Sequence, residues 1–157
     1  RGLSLAFHVE PYRGRTAVSV GEDARYLAGR FGSHPAIARD GRGRQLLYVY
    51  DSYHTKSAEW AAVLSRQEAA GGVRGGQGDA CFLGLWAEEA HGEELFRGGF
   101  DGAYTYFATD GFTFGSSRRN WPRMASFAAA KRMVFAPSFG PGYEDTSIRP
   151  WNRKNSR

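Results

Sequence analysis

Apolar positions along the chain switch repeatedly between two periods, short continuous runs and helical three- and four-residue spacing. Leu3-Ser-Leu-Ala-Phe7 is a run of the first kind and ends in His8-Val-Glu-Pro-Tyr12. From Val20 to Phe31 the period lengthens: Val20, Ala24, Leu27, Ala28 and Phe31 share one face, and Gly32 stands where a helix C-cap belongs. Leu46-Leu-Tyr-Val-Tyr50 is the next run. Ser57 is then placed to cap a helix over Ala58 to Leu64. The glycine-rich stretch Ala69 to Gly78 reads as a mobile loop. Ala80-Cys-Phe-Leu-Gly-Leu-Trp86 precedes a short helix over about Glu93 to Arg97. Ala103-Tyr-Thr-Tyr-Phe107 precedes a helix opened by Ser116 or Ser117 and running through Trp121, Met124, Phe127 and Ala128 to Lys131. Met133-Val-Phe-Ala136 is the fifth run.

Strands are thus predicted near residues 3–9, 46–50, 80–86, 102–107 and 133–137, with helical patterns between them. No tight hairpin signal joins consecutive strands, so the sheet is expected to be parallel. Such a sheet is stable with helices on both faces or closed into a barrel. No glycine-rich phosphate fingerprint marks a strand-to-helix turn, which weakens the doubly wound alternative. Each predicted strand also ends in a polar and aromatic cluster, and in a barrel those ends converge on one rim. The predicted fold is α/β, a partial (β/α)8 barrel of about five parallel strands forming one domain over residues 1–157. A chain whose first residue is Arg1 and whose first strand starts by Leu3 is expected to be a piece of a longer barrel.

The strand-end clusters hold the candidate chemistry. They are His8, Glu10 and Tyr12; Asp51, Tyr53 and His54; Trp86, Glu88, Glu89 and His91; Tyr104, Tyr106, Asp110 and Phe112; and Tyr143, Asp145, Arg149, Trp151 and Asn152. Carboxylates, aromatics, arginine and asparagine on one rim suit a carbohydrate, whose hydroxyls need donors and acceptors and whose ring faces stack on aromatics. No histidine pair has the spacing of a zinc motif, so no metal is expected. Cys81 lies inside an apolar strand and is expected to be inert. Side-chain alternation is read as turning Tyr48, Tyr50 and one of Tyr104 and Tyr106 away from the pocket. Phe7, Tyr48, Leu83 and Val134 are read as the inner apolar positions.

Composition changes this picture little. A single cysteine excludes an internal disulfide framework. The formal net charge of +5 raises a nucleic-acid or anionic-membrane partner, but the arginines are scattered and only Arg149 to Arg157 is locally dense. A solvated, arginine-rich surface is the plainer reading.

Four ordered segments resemble one family. They are His8-Val-Glu-Pro-Tyr-Arg-Gly-Arg15, Tyr48-Val-Tyr-Asp-Ser-Tyr53, Gly99-Phe-Asp-Gly-Ala-Tyr-Thr-Tyr-Phe107, and Gly140-Pro-Gly-Tyr143 with Asp145-Thr-Ser-Ile-Arg-Pro-Trp-Asn152. Together they are similar to the glycoprotein endo-α-1,2-mannosidases. The resemblance implies a (β/α)8 barrel and a retaining glycosidase that needs no metal or cofactor. It implies a lumenal Golgi enzyme, with any membrane anchor outside this chain. The implied substrate is the N-linked high-mannose glycan, cut at an internal α-1,2-mannosidic bond to release a glucose-capped mannose. In the family one carboxylate deprotonates the sugar 2-hydroxyl and another protonates the leaving group. That pair belongs to a Glu-Trp-His-Glu-like segment absent from this sequence, so no catalytic residue is expected within the chain. The matched positions implied to bind substrate are Glu10, Tyr12, Tyr53, His54, Tyr104, Tyr106, Arg149, Trp151 and Asn152. The alternative is a non-enzymatic carbohydrate- or nucleic-acid-binding module using the same aromatics and the positive charge, which steep salt dependence of binding would reveal.

Overall fold

The computed structural model describes residues 2–106, 110–140, 142–144, 146–148, 150–151 and 155–156. Five strands form one sheet: β1 (Phe7–Val9), β2 (Leu46–Val49), β3 (Cys81–Leu85), β4 (Gly102–Tyr104) and β5 (Val134–Ala136). Their spatial order is their chain order, and all four neighbouring pairs are parallel. Between them run the helices α1 (Ala17–Phe31), α2 (Ser57–Leu64), α3 (His91–Arg97) and α4 (Trp121–Ala130). A small antiparallel pair, β6 (Gly142–Tyr143) with β7 (Asn155–Ser156), was not legible beforehand.

The two faces of the five-stranded sheet settle the choice between architectures. Val9, Leu47, Val49, Phe82 and Ala103 pack in one cluster with Val20 and Ala24 of α1, Trp60, Val63 and Leu64 of α2, Leu95 of α3 and Met124 of α4. Every helix therefore lies on that face. The opposite face carries no helix residue in its cluster: Cys81, Leu83, Leu85 and Tyr104, with Leu46, Tyr48, Tyr50, Tyr106 and Ala136 against them. A doubly wound sheet would cover both faces with helices; a barrel wall covers one and turns the other inward. The described sheet is a five-stave barrel wall.

Several local expectations shift. β1 begins at Phe7, and Leu3 is exposed. Phe7 belongs to the helix-covered face, where its ring lies 5.9 Å from Phe31, so it is not an inner residue. α1 starts earlier than its apolar stripe because Thr16 and Ser19 form a reciprocal cap: Ser19 N–H donates to Thr16 Oγ1 and Thr16 N–H to Ser19 Oγ. Ser57 is the first residue of α2 rather than its cap, a position held by Lys56 without a side-chain bond. Ser117 leads first into a short 3-10 turn, Arg118–Asn120, and α4 starts at Trp121.

The glycine-rich stretch is tied down, contrary to expectation. Val73 is fully buried and Arg74 donates to the carbonyls of Leu64, Ala80 and Gly99. At that N-terminal end of the sheet, Asp101 receives Arg44 at 2.8 Å, Arg74 at 3.0 Å and the Phe82 amide at 2.9 Å. Hydrogen bonds to Asp101 and Asp40 hold the Arg44 guanidinium protonated against the opposing effect of its partial burial. This polar lock leaves the other end of the sheet open for a site.

Candidate functional site

At the C-terminal end the inner face becomes aromatic and polar. Register fixes who meets whom: His8 is opposite Tyr48, Tyr48 opposite Leu83, and Leu85 opposite Tyr104. The His8 ring lies 5.4 Å from that of Tyr50 and 5.9 Å from that of Tyr104, and Tyr48 meets Tyr104 edge-on at 5.1 Å. Tyr50 and Tyr106 are 5.8 Å apart, and Tyr106 lies 6.4 Å from Phe112. Tyr48, Tyr50, Tyr104 and Tyr106 thus all face inward. The expectation that Tyr48, Tyr50 and one of Tyr104 and Tyr106 turn away was wrong: residues two apart on a strand share a face, and register puts both pairs on the inner one. Burial raises the phenols of Tyr104, Tyr50 and Tyr48 above the ordinary tyrosine range, so they titrate late and act as neutral hydrogen-bonding groups.

Polar groups ring this aromatic floor. Glu10 Oε1 lies 2.9 Å from His8 Nδ1, and His8 Nε2 lies 3.0 Å from the Tyr104 hydroxyl. Asp51, just past β2, holds a left-handed conformation with φ 46° that a non-glycine residue seldom adopts. Arg15 secures the strained corner by donating to the carbonyls of Tyr50 at 2.6 Å and Asp51 at 2.8 Å. Asp51 in turn accepts from the Tyr53 hydroxyl at 2.6 Å. Tyr53 stacks on His91 at 4.8 Å, with 18° between the ring planes. Burial, reinforced by the bond to Asp51, pushes Tyr53 up to about 12, and burial lowers His91. Beneath the stack a cavity of about 10 Å³, lined by Ser52, Tyr53, Trp60 and His91 among others, has room for a water molecule. Any ligand larger than water has to lie on the open rim rather than in this cavity.

The predicted site residues divide. Glu10, Tyr53, Tyr104 and Tyr106 reach the rim or its floor, as described. His54 is exposed, with its ring edge against Tyr53 and Nε2 4.0 Å from Asp51. Tyr12 turns back to α1, where its hydroxyl donates to the Asp23 carboxylate at 2.8 Å and lies 2.7 Å from the Ser19 hydroxyl. Trp151 is 77% exposed. Arg149 and Asn152 lie outside the described residues. Cys81 is buried on the inner face, where loss of hydration raises its thiol to about 11. No group of three or more His, Cys, Asp or Glu placed to hold a metal occurs among the described residues.

Of this constellation, His8, Asp51 and His91 stood in the strand-end clusters but not among the implied binding residues, and Arg15 stood in neither. A signal existed for His8, because it shares strand parity with Glu10. None existed for Arg15, whose partners are backbone carbonyls 35 and 36 residues away. His91 reaches Tyr53 from a helix start that the pattern put two residues later.

Residues 1–157 match the family model described as glycosyl hydrolase family 99. Glycoprotein endo-alpha-1,2-mannosidase of Rattus norvegicus is 45% identical over 159 residues, covering 99% of this chain and 34% of that protein. The protein of that name from Xenopus laevis is 44% identical, covering 99% of this chain and 35% of its own length. Among solved structures, the GH99 endo-alpha-mannosidase from Bacteroides thetaiotaomicron superposes with a TM-score of 0.89 at 41% identity, over 98% of this chain and 45% of that one. The chain spans about a third of the length of the curated relatives it matches.

Proposed function

The chain belongs to glycosyl hydrolase family 99, and from that premise we propose that the protein carrying it is a retaining endo-α-1,2-mannosidase acting on N-linked high-mannose glycans. The match over all of residues 1–157 carries the reading. The geometry is consistent with it: an aromatic floor of four tyrosines, with carboxylates and neutral hydroxyls around it, at the strand ends where barrel enzymes keep their sites. Sugar ring faces pack on such rings, and sugar hydroxyls find both donors and acceptors beside them.

In this reading residues 1–157 supply binding surface, with Glu10, Tyr53, Tyr104, Tyr106 and His54 contributing from the ends of β1, β2 and β4. Arg149, Trp151 and Asn152 join them as further binding residues. Tyr12 contributes by holding the loop after β1 against α1. The carboxylate pair that deprotonates the sugar 2-hydroxyl and protonates the leaving group lies outside these residues. The product is a glucose-capped mannose, and the working compartment is the Golgi lumen, with the membrane reached through an anchor elsewhere in the protein. No helix among the described residues is long and apolar enough to cross a membrane.

Product analysis tests this reading. Given a glucosylated high-mannose glycan, the protein carrying residues 1–157 should release a glucosyl-mannose disaccharide with retained anomeric configuration. Release of monosaccharides alone, or binding without cleavage, would refute it.

A further inference from the structure

Glu10 stands one residue past β1 with its side chain 66% exposed. An exposed carboxylate samples several rotamers, and a ligand that needs one of them must overcome that freedom on binding. Here the freedom is already restricted. His8 is gripped at both ring nitrogens, by Glu10 Oε1 at 2.9 Å from Nδ1 and by the Tyr104 hydroxyl at 3.0 Å from Nε2. A carboxylate only accepts, so Nδ1 carries the proton. In neutral imidazole the other nitrogen is then the acceptor, and the Tyr104 O–H donates to it. Donation runs one way, from Tyr104 through His8 to Glu10.

The far end of this chain is firm. Tyr104 is 6% exposed, on β4, and packed edge-on against Tyr48. Its phenol stays protonated because burial raises it well above the ordinary tyrosine range. Building on the glycan-binding reading, we infer that His8 and Tyr104 are positioning residues that hold the Glu10 carboxylate as a preset acceptor for a sugar hydroxyl. The Tyr104 hydroxyl then acts through His8, whatever its ring contributes to the floor, and the second oxygen of Glu10 is the atom offered to the ligand.

Two readouts on the protein carrying residues 1–157 test this. Nitrogen-15 NMR of labelled histidine, above neutral pH, should show His8 protonated at Nδ1. Glu10→Ala, a change at an exposed position that leaves the fold intact, should move the proton to Nε2, where the Tyr104 oxygen remains as partner. Calorimetric titration with α-1,2-mannobiose should show Tyr104→Phe binding about three- to tenfold more weakly, the worth of one hydrogen bond, with Nδ1 still protonated. His8 protonated at Nε2 while Glu10 is intact, or a Tyr104→Phe protein that binds the disaccharide as tightly as its parent, would overturn the inference. A parent protein that binds no mannobiose would instead count against the glycan reading, and the proton position on His8 would still decide the relay.

Discussion

Asp101 accepts from two guanidinium groups and a backbone amide at the N-terminal end of the sheet, with its own side chain 17% exposed. Its partners Arg44 and Arg74 come from loops 57 and 27 residues earlier, and no local sequence pattern links them. Asp101→Asn leaves both cations short of a counter-charge in a partly dry site. It should cost about 2–4 kcal/mol, seen as a lower urea midpoint with an unchanged slope; a loss below about 0.5 kcal/mol would reduce the cluster to an ordinary surface pair. At the opposite end, Tyr53 gives a spectroscopic handle. Its phenol, raised to about 12 by burial and by the bond to Asp51, should remain neutral after ordinary tyrosines have ionised. In Asp51→Asn the charge disappears and the burial stays, so ultraviolet titration should find Tyr53 falling part of the way toward 10. No fall would mean that Asp51 contributes nothing to it.

Strands and helices were legible because each is amphipathic at its own period. β3 was the plainest: a run buried along its whole length, as a stave between two others must be. Ends were harder. Thr16 and Ser19 extend α1 beyond its apolar stripe by a polar cap, which hydrophobic spacing does not register. The parity of Tyr104 and Tyr106 was in the sequence and was misread. Gly102 shows what pattern alone conceals. A Cβ there would lie 2.6 Å from the Val134 carbonyl oxygen and 2.7 Å from Val134 Cβ, so β4 and β5 pair closely because that position has no side chain. Backbone cannot swing aside as a flexible side chain can. Gly102→Ala should therefore destabilise by about 1–3 kcal/mol, measured as a drop in thermal midpoint, whereas an unchanged midpoint would show that the two strands can separate at no cost.

For the molecule as a whole, the division of labour between the two ends of the sheet is the main result. One end is locked by Arg44, Arg74, Asp79 and Asp101, and the other carries tyrosines, His8, Glu10 and the strained Asp51. Family and fold class were readable from ordered motifs and βα alternation. How the rim residues divide into those that touch ligand and those that support them was not, since it depends on strand register and on partners from distant loops. Under the proposed function, residues 1–157 are a binding surface whose chemistry is supplied from elsewhere in the protein. Turnover of a glucosylated α-1,2-mannoside by residues 1–157 alone, beside a version extended to the length of the curated relatives, tests this most directly. The extended version should cleave and the 157-residue chain should not; comparable rates from the two would contradict the account and put the catalytic carboxylates within these residues.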